Sequence, residues 1–169
     1  KMKEPTILSA VLRLDEIAPR LAELRDRVEE IAGGFDESTE DDGFHVTLAY
    51  AEVPPENLNL LAKETRKTIL SESWPMELWL GSVTHMINQD EETIVCVDVQ
   101  STPLRKLAKK LRKVIEAGGG EFTWPDWKGH VTLGRYANID EKDLEEVERL
   151  RVNSNTKAFE KQVDVTMQG

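Results

Sequence analysis

Cysteine is nearly absent from this chain of 169 residues. Its single copy, Cys96, rules out an internal disulfide. Cys96 stands in the apolar run TIVCVDV, which reads as a buried strand position and makes a reducing, intracellular (cytoplasmic) setting the expectation. Long hydrophobic runs are missing too. None approaches the roughly 20 apolar residues that span a bilayer, so no membrane association is expected. The opening residues KMKEPTILSAVLRLDE reach acidic side chains too early for a signal peptide. Positive charge is in short supply: 22 Lys and Arg against 32 Asp and Glu give a formal net charge of −10. A protein that grips long nucleic acid usually shows a basic face, so tight binding of a long strand is not expected. The stretch DESTEDD at 36–42 puts five carboxylates just ahead of His45. Such a run is ordinarily a solvated loop, and it still argues against an extended polyanion on that side.

Histidine is scarce as well, at three copies, and two of them head identical tetrapeptides: HVTL at 45–48 and HVTL at 130–133. The flanking sequence repeats with them. TILSAVLRL (6–14) has the β-branched, apolar character of a buried strand. In 15–34, Ile17, Leu21, Leu24, Val28 and Ile31 recur at helical steps, with Asp15 as the expected N-cap and Gly33-Gly34 as the stop. FHVTLAY (44–50) reads as a strand, 54–70 as a helix opened by prolines, and 76–87 as a strand bent at Gly81. The order then restarts. A strand is expected at 93–100, then a helix at 102–120 with Thr102 as cap and Pro103 in the first turn. HVTLGRY (130–136) follows as a strand, then a helix at 140–151 and a closing strand at 158–167.

The spacings agree. Ile7 to His45 is 38 residues and Ile94 to His130 is 36; His45 to Trp79 is 34 and His130 to Val163 is 33. Two copies of a mixed element set are not a solenoid. They predict a single α+β domain over 1–169, built from repeats at about 6–87 and 93–167 and related by a pseudo-two-fold axis. Equivalent points of the two HVTL strands would then face each other across a central cleft.

Side chains alternate along a strand, so His45 and Thr47 share one face and His130 and Thr132 share another. Val46, Leu48, Val131 and Leu133 are left to anchor the strands. Two imidazoles and two hydroxyls suit phosphodiester cleavage. One neutral imidazole takes a proton from water and the other, as imidazolium, gives one to the leaving oxygen. The hydroxyls hydrogen-bond the non-bridging phosphate oxygens as charge builds on them. A metal site is the weaker reading, since neither tetrapeptide supplies a cysteine or carboxylate to complete a shell, and no metal or other cofactor is expected. His85 has no comparable motif around it. GGG at 118–120 lacks the Lys-Ser/Thr of a phosphate loop and reads as a helix stop.

These motifs resemble the 2H phosphoesterase superfamily, which is named for two His-x-Thr motifs. Within it, HVTLAYAEVPPENLNLL and HVTLGRY look most like bacterial 2′-5′ RNA ligase-like proteins, the RNA 2′,3′-cyclic phosphodiesterases. The resemblance extends from about Thr6 to about Val165. It implies a bilobal fold with antiparallel sheets lining the cleft and helices outside. It also implies metal-independent hydrolysis, with His45 and His130 as the proton-transfer pair and Thr47 and Thr132 on the phosphate. The substrates it implies are an RNA terminus bearing a 2′,3′-cyclic phosphate, or a short 2′-linked or cyclic nucleotide. Some relatives serve mainly as nucleotide-binding modules, and a non-catalytic module with the same pocket is the alternative.

The loop FTWPDWKGH (122–130) is the expected place of substrate choice. Trp124 or Trp127 could stack on a base and Lys128 could approach a phosphate. Tyr136 shares parity with His130 and Thr132 and is placed on the cleft. Arg135 has the opposite parity and points away unless the strand ends early. A monomer is the default expectation.

Overall fold

The computed structural model describes residues 6–169. The N-terminal stretch considered as a leader begins outside them. Among the described residues, nine strands and four helices follow one another in the order β1 (Thr6–Arg13), α1 (Ala18–Ala32), β2 (Glu37–Ser38), β3 (His45–Val53), α2 (Leu58–Leu70), β4 (Met76–Ile87), β5 (Thr93–Gln100), α3 (Thr102–Ala117), β6 (Glu121–Phe122), β7 (His130–Tyr136), α4 (Glu141–Val147), β8 (Arg151–Ala158) and β9 (Val163–Gln168). No helix is long and apolar enough to cross a membrane among the described residues.

The strands form one antiparallel sheet in the order β8-β4-β5-β7-β3-β1-β9. Two-residue strands complete it, β2 against β7 and β6 against β3. The antiparallel strands of the two halves meet in the middle of this sheet, where β3 pairs with β7. The repeat is plain in the pairing. The last strand of each half crosses to the first strand of the other: β4 pairs with β5, and β9 pairs with β1. The exchange links the repeat at 6–87 to the repeat at 93–167. The sequence repeats are intact, but they are interleaved in space.

One face of the sheet is apolar and covered by helices. Along β1 the even-numbered side chains from Thr6 to Leu12 are buried and the odd-numbered ones are partly open, as alternation requires. Leu21, Leu24 and Val28 of α1, and Leu104, Leu107, Leu111 and Ile115 of α3, are buried in the same core. Helix α1 packs with α4 against β7 and β8, and α2 packs with α3 near β1, β3 and β9. The glycines after α3 are needed for packing as well as for stopping. A Cβ on Gly118 would lie 2.3 Å from Leu61 of α2.

Several boundaries differ from expectation, each for a local reason. Helix α1 starts at Ala18 beside a proline, with Ile17 rather than Asp15 at the N-cap; Asp15 contributes only its carbonyl, to the Ala18 N–H. Ser101 rather than Thr102 caps α3, its Oγ accepting from the Leu104 N–H. Helix α4 ends at Val147, well short of 151. Arg151–Ala158, a connector up to 158 by its composition, is a strand. Its polar residues fit an exposed edge, and pairing with β4 supplies the order that its composition does not. The closing strand accordingly begins at Val163, after a 3₁₀ turn.

Candidate active site

β3 and β7 pair at Val46 and Val131. Directly opposed residues of an antiparallel pair share a face. Both valines are fully buried, so they occupy the helix-covered face. Their neighbours must project the other way, and these are His45, Thr47, His130 and Thr132. Continuing the register by one residue sets Thr132 across from His45 and His130 across from Thr47. Residues two apart on a strand are separated by about 7 Å, and opposed side chains start about 5 Å apart. Two imidazoles and two hydroxyls thus share one small patch on the open face of the sheet.

Past this crossing the strands part company. β1 occupies one edge of β3 along its length, so the Ala51 and Glu52 positions that pair with β6 must present the edge facing β7. In the same way β5 occupies one edge of β7, and β2 takes the other at Gly134 and Arg135. The inserted short strands separate the two long ones on either side of the four site residues.

The two histidines are held alike. His45 Nδ1 lies 2.8 Å from the Gly43 carbonyl oxygen, and His130 Nδ1 lies 2.8 Å from that of Lys128. A carbonyl only accepts, so Nδ1 carries the hydrogen in both rings and Nε2 is left for chemistry. Neutral, Nε2 accepts a proton; charged, it donates one.

The threonines are positioned reciprocally. Trp127 Nε1–H donates to the Thr47 carbonyl at 2.8 Å, from the loop that leads into His130. Thr39 Oγ1–H donates to the Thr132 carbonyl at 2.8 Å, from the loop that leads into His45. Each motif strand is therefore latched by the loop of the opposite motif. The acidic loop is itself tethered: Arg25 donates to the Thr39 carbonyl at 2.8 Å and meets Asp41 at 2.7 Å.

The remaining residues singled out from the sequence fall in different places. Trp127 is partly buried against the core, spends its N–H on Thr47, and lies under the Arg105 guanidinium at 5.5 Å. It holds the site together, and its ring is already in contact on one side. Trp124 is 64% exposed, while Arg112 grips the backbone carbonyls of Trp124 and Pro125. Lys128 contributes its carbonyl to His130.

Tyr136 and Arg135 exchange the places that simple alternation gives them. In the β5–β7 ladder Val95 faces Gly134 but Cys96 faces Thr132, so β7 carries one extra residue. This bulge buries Leu133 and Gly134 in succession and inverts the phase beyond them. A Cβ on Gly134 would fall 2.3 Å from the Phe35 ring, which explains the glycine. Tyr136 is consequently a core residue. It is 3% exposed, donates its hydroxyl to the Gly33 carbonyl at 2.6 Å and stacks on Phe35 at 4.5 Å between centroids. Burial, followed by nearby Glu29, Asp143 and Asp36, pushes its phenol up to about 12. Arg135 instead shares the open face with His130 and Thr132, bonded to Glu92 and, at 3.2 Å, to Glu37.

The same bulge recurs in β3, where Ala10 faces Ala49 and Val11 faces Thr47. It turns Tyr50 onto the open face, 53% exposed, at the position equivalent to Arg135. Tyr50 is a candidate for the site that the sequence pattern alone does not single out. The repeat itself holds the signal, since aligning HVTLAY with HVTLGR pairs it with Arg135. The ladders also place Arg13 opposite His45 and Asp98 opposite His130. His85 is remote in its contacts: it faces buried Val95 and bonds Glu148 at the end of α4. Cys96 is fully buried, and burial, then Asp98 and Glu148, pushes its thiol up to about 12, which makes it a poor nucleophile.

Comparisons agree with this architecture. The model of the 2'-5' RNA ligase superfamily matches residues 14–166. No curated protein sequence matches the chain. Among solved structures, TT0787 of Thermus thermophilus is similar at a TM-score of 0.67 with 16% identity, over 97% of this chain and 94% of that one. Escherichia coli LigT complexed with 3'-AMP gives a TM-score of 0.63 and 18% identity, over 92% of this chain and 84% of the other. Kluyveromyces marxianus Usb1 gives 0.57 and 16%, over 94% and 96%. A match over nearly the whole length, on a fold that brings two His-x-Thr strands to one crossing, places the chain in the 2'-5' RNA ligase superfamily of 2H phosphoesterases.

Proposed function

We propose that the protein is a metal-independent phosphodiesterase that opens a 2′,3′-cyclic phosphate or cuts a short 2′-linked or cyclic nucleotide. The observation that carries this reading is the crossing of β3 and β7. It puts two imidazoles with free Nε2 atoms and two hydroxyls on one open patch. For a 2′,3′-cyclic phosphate, one neutral Nε2 removes a proton from water as its oxygen attacks phosphorus. The P–O3′ bond breaks, and the imidazolium of the other histidine delivers its proton to O3′, leaving a 2′-phosphate. Thr47 and Thr132 donate to the two non-bridging oxygens as they gain charge. Proton transfer by each imidazole is worth about 10²–10⁴-fold.

The LigT structure complexed with 3'-AMP and a Usb1 structure with uridine monophosphate support a nucleotide as the ligand class. Tyr50, exposed just past Thr47, offers an aromatic surface for a base. The test is turnover. The protein is incubated with nucleoside 2′,3′-cyclic phosphates, 2′,5′-oligoadenylates and cyclic oligonucleotides, and products are separated by chromatography. A 2′-phosphate product, lost in His45→Ala and in His130→Ala, is expected. Tight binding with no turnover on the whole panel would instead establish a nucleotide-binding module.

A further inference from the structure

The open face holds two guanidiniums close to the motif residues in the ladder, and neither is free. Arg13, opposite His45, is bound to Asp164 at 2.6 Å and to Asp15 at 3.4 Å. Arg135, three residues beyond Thr132, is enclosed from both neighbouring strands. Glu37 is its direct ladder partner on β2, and Glu92 approaches from the β5 side, where Ile94 is its partner. Glu92 is not there by chance of rotamer. Asn88 Nδ2 donates to Glu92 Oε1 at 3.0 Å, the Glu92 N–H donates to Asn88 Oδ1 at 2.8 Å, and the Asn88 N–H donates to the Glu92 carbonyl at 3.1 Å. The β4–β5 turn, which passes through Glu91 at φ 60°, thereby presents its carboxylate already aimed. Glu92 is also largely sheltered, with its side chain 21% exposed, against 28% for Arg135.

We infer that Glu37 and Glu92 act as specificity determinants that withhold Arg135 from substrate, so that the site selects ligands carrying only the one reacting phosphate. The inference rests on the phosphodiesterase reading above and narrows its substrate class. A guanidinium is the side chain best shaped to grip a phosphate. Here its charge is outnumbered by the two carboxylates it bonds, and Arg13 is outnumbered in the same way. A second phosphate near the motif strands therefore meets no unpaired guanidinium among these groups, and net negative charge. On the phosphodiesterase reading the single reacting phosphate is served by His45, His130, Thr47 and Thr132, which share one patch, and needs neither arginine.

The experiment compares matched substrates with and without a second phosphate. They are a nucleoside 2′,3′-cyclic phosphate, the same compound bearing a 5′-phosphate, and the dinucleotide carrying the cyclic group at its end. The expected wild-type kcat/KM is at least as high for the compound with one phosphate as for either of the others. In Glu37→Gln/Glu92→Gln the ratio should move toward a doubly phosphorylated substrate by about 10-fold, the scale of one charge-assisted hydrogen bond. Adding Arg135→Gln should abolish that gain. Glu37 is exposed, so Glu37→Gln alone is a safe second variant and should shift the ratio in the same direction by a smaller factor. A ratio unmoved in the double variant overturns the inference, as does a gain that survives loss of Arg135 or a wild-type preference for two phosphates. Should the wild type turn over none of the three, the catalytic reading has failed. Calorimetric titration of a nucleoside 3′-phosphate against the matching 3′,5′-bisphosphate then puts the same three variants to the same test by affinity.

Discussion

Replacing Trp127 with phenylalanine should damage catalysis without removing any group that touches the phosphate. The change deletes the Nε1–H bond to the Thr47 carbonyl, 2.8 Å long, and shrinks a ring packed against the core. A net loss of about 0.5–1.5 kcal/mol follows from the bond, rising to about 1–3 kcal/mol if the carbonyl stays dry. At roughly 2–4 °C per kcal/mol for a chain of this size, Tm should fall by about 1–12 °C. The catalytic effect has a separate origin. Trp127 joins the two half-sites: it bonds the backbone of Thr47, and its ring sits where a Cβ on Gly129, next to His130, would come within 2.8 Å. Freeing one end lets Thr47 drift relative to His130. A misplacement of about 1 Å can cost about 10²-fold, so a fall in kcat of about 10-fold is expected, with KM moving less. Thr39→Val makes the equivalent cut on the other side, at the Thr132 carbonyl, and should lower kcat in the same way. Melting curves and single-turnover rates on a nucleoside 2′,3′-cyclic phosphate read the two effects apart. If Trp127→Phe loses stability but turns over at the wild-type rate, the latch is structural only and the reasoning fails.

Three further outcomes are expected. His45→Ala and His130→Ala should each lower turnover at least about 10²-fold while retaining the fold, and wild-type rate should be bell-shaped in pH because one imidazole must be neutral and the other charged; either variant at near-normal rate removes that histidine from the mechanism. Activity should survive EDTA, because the two motifs supply acid, base and phosphate donors and no cluster of three or more His, Cys, Asp or Glu suited to a metal ion occurs among the described residues; loss on chelation restored by a divalent ion would sink this. Stability should fall at alkaline pH, because Tyr136 ionises near its ordinary 10 when unfolded but only at about 12 when folded, so its contribution is whole below 10 and lost as pH rises to about 12; urea midpoints should show a shallower decline over that range in Tyr136→Phe.

The repeated tetrapeptide makes the site legible because a four-residue match with its flanking spacings encodes topology. β4 and β9 occupy equivalent positions, each against the first strand of the other half, and the spacings from His45 to Trp79 and from His130 to Val163 match them. What the sequence hides is phase. Alternation is a rule about uninterrupted strands, and each HVTL strand carries an extra residue directly after its threonine, Leu48 in one and Leu133 in the other. Nothing in the letters LA or LG announces a bulge. Alternation therefore assigns Tyr136 and Arg135 to each other's faces, while His130 and Thr132, ahead of the bulge, fall where it puts them. β8 is hidden for a different reason. RVNSNTKA has too little apolar content to be recognised alone, and it becomes a strand because β4 offers an open edge.

The two halves share a backbone plan but not a chemical environment, and the difference bears on how a symmetric pair of motifs can run a directional reaction. The latches, the Nδ1 bonds and the bulges are matched from one half to the other. The side chains set around them are not. Tyr50 stands where the other half has Arg135, and Arg13 lies opposite one histidine where Asp98 lies opposite the other. In the reaction proposed above, a cyclic phosphodiester at the crossing would have water on one side of phosphorus and a leaving oxygen on the other, so it would not treat the halves alike. Matched features can hold phosphorus and its oxygens at the centre. Only the unmatched ones can decide which way the nucleoside points. An exposed tyrosine ring on one flank and an arginine closed by carboxylates on the other would give a base one side to favour. In the proposed reaction that orientation would fix which imidazole meets water and which meets the leaving oxygen.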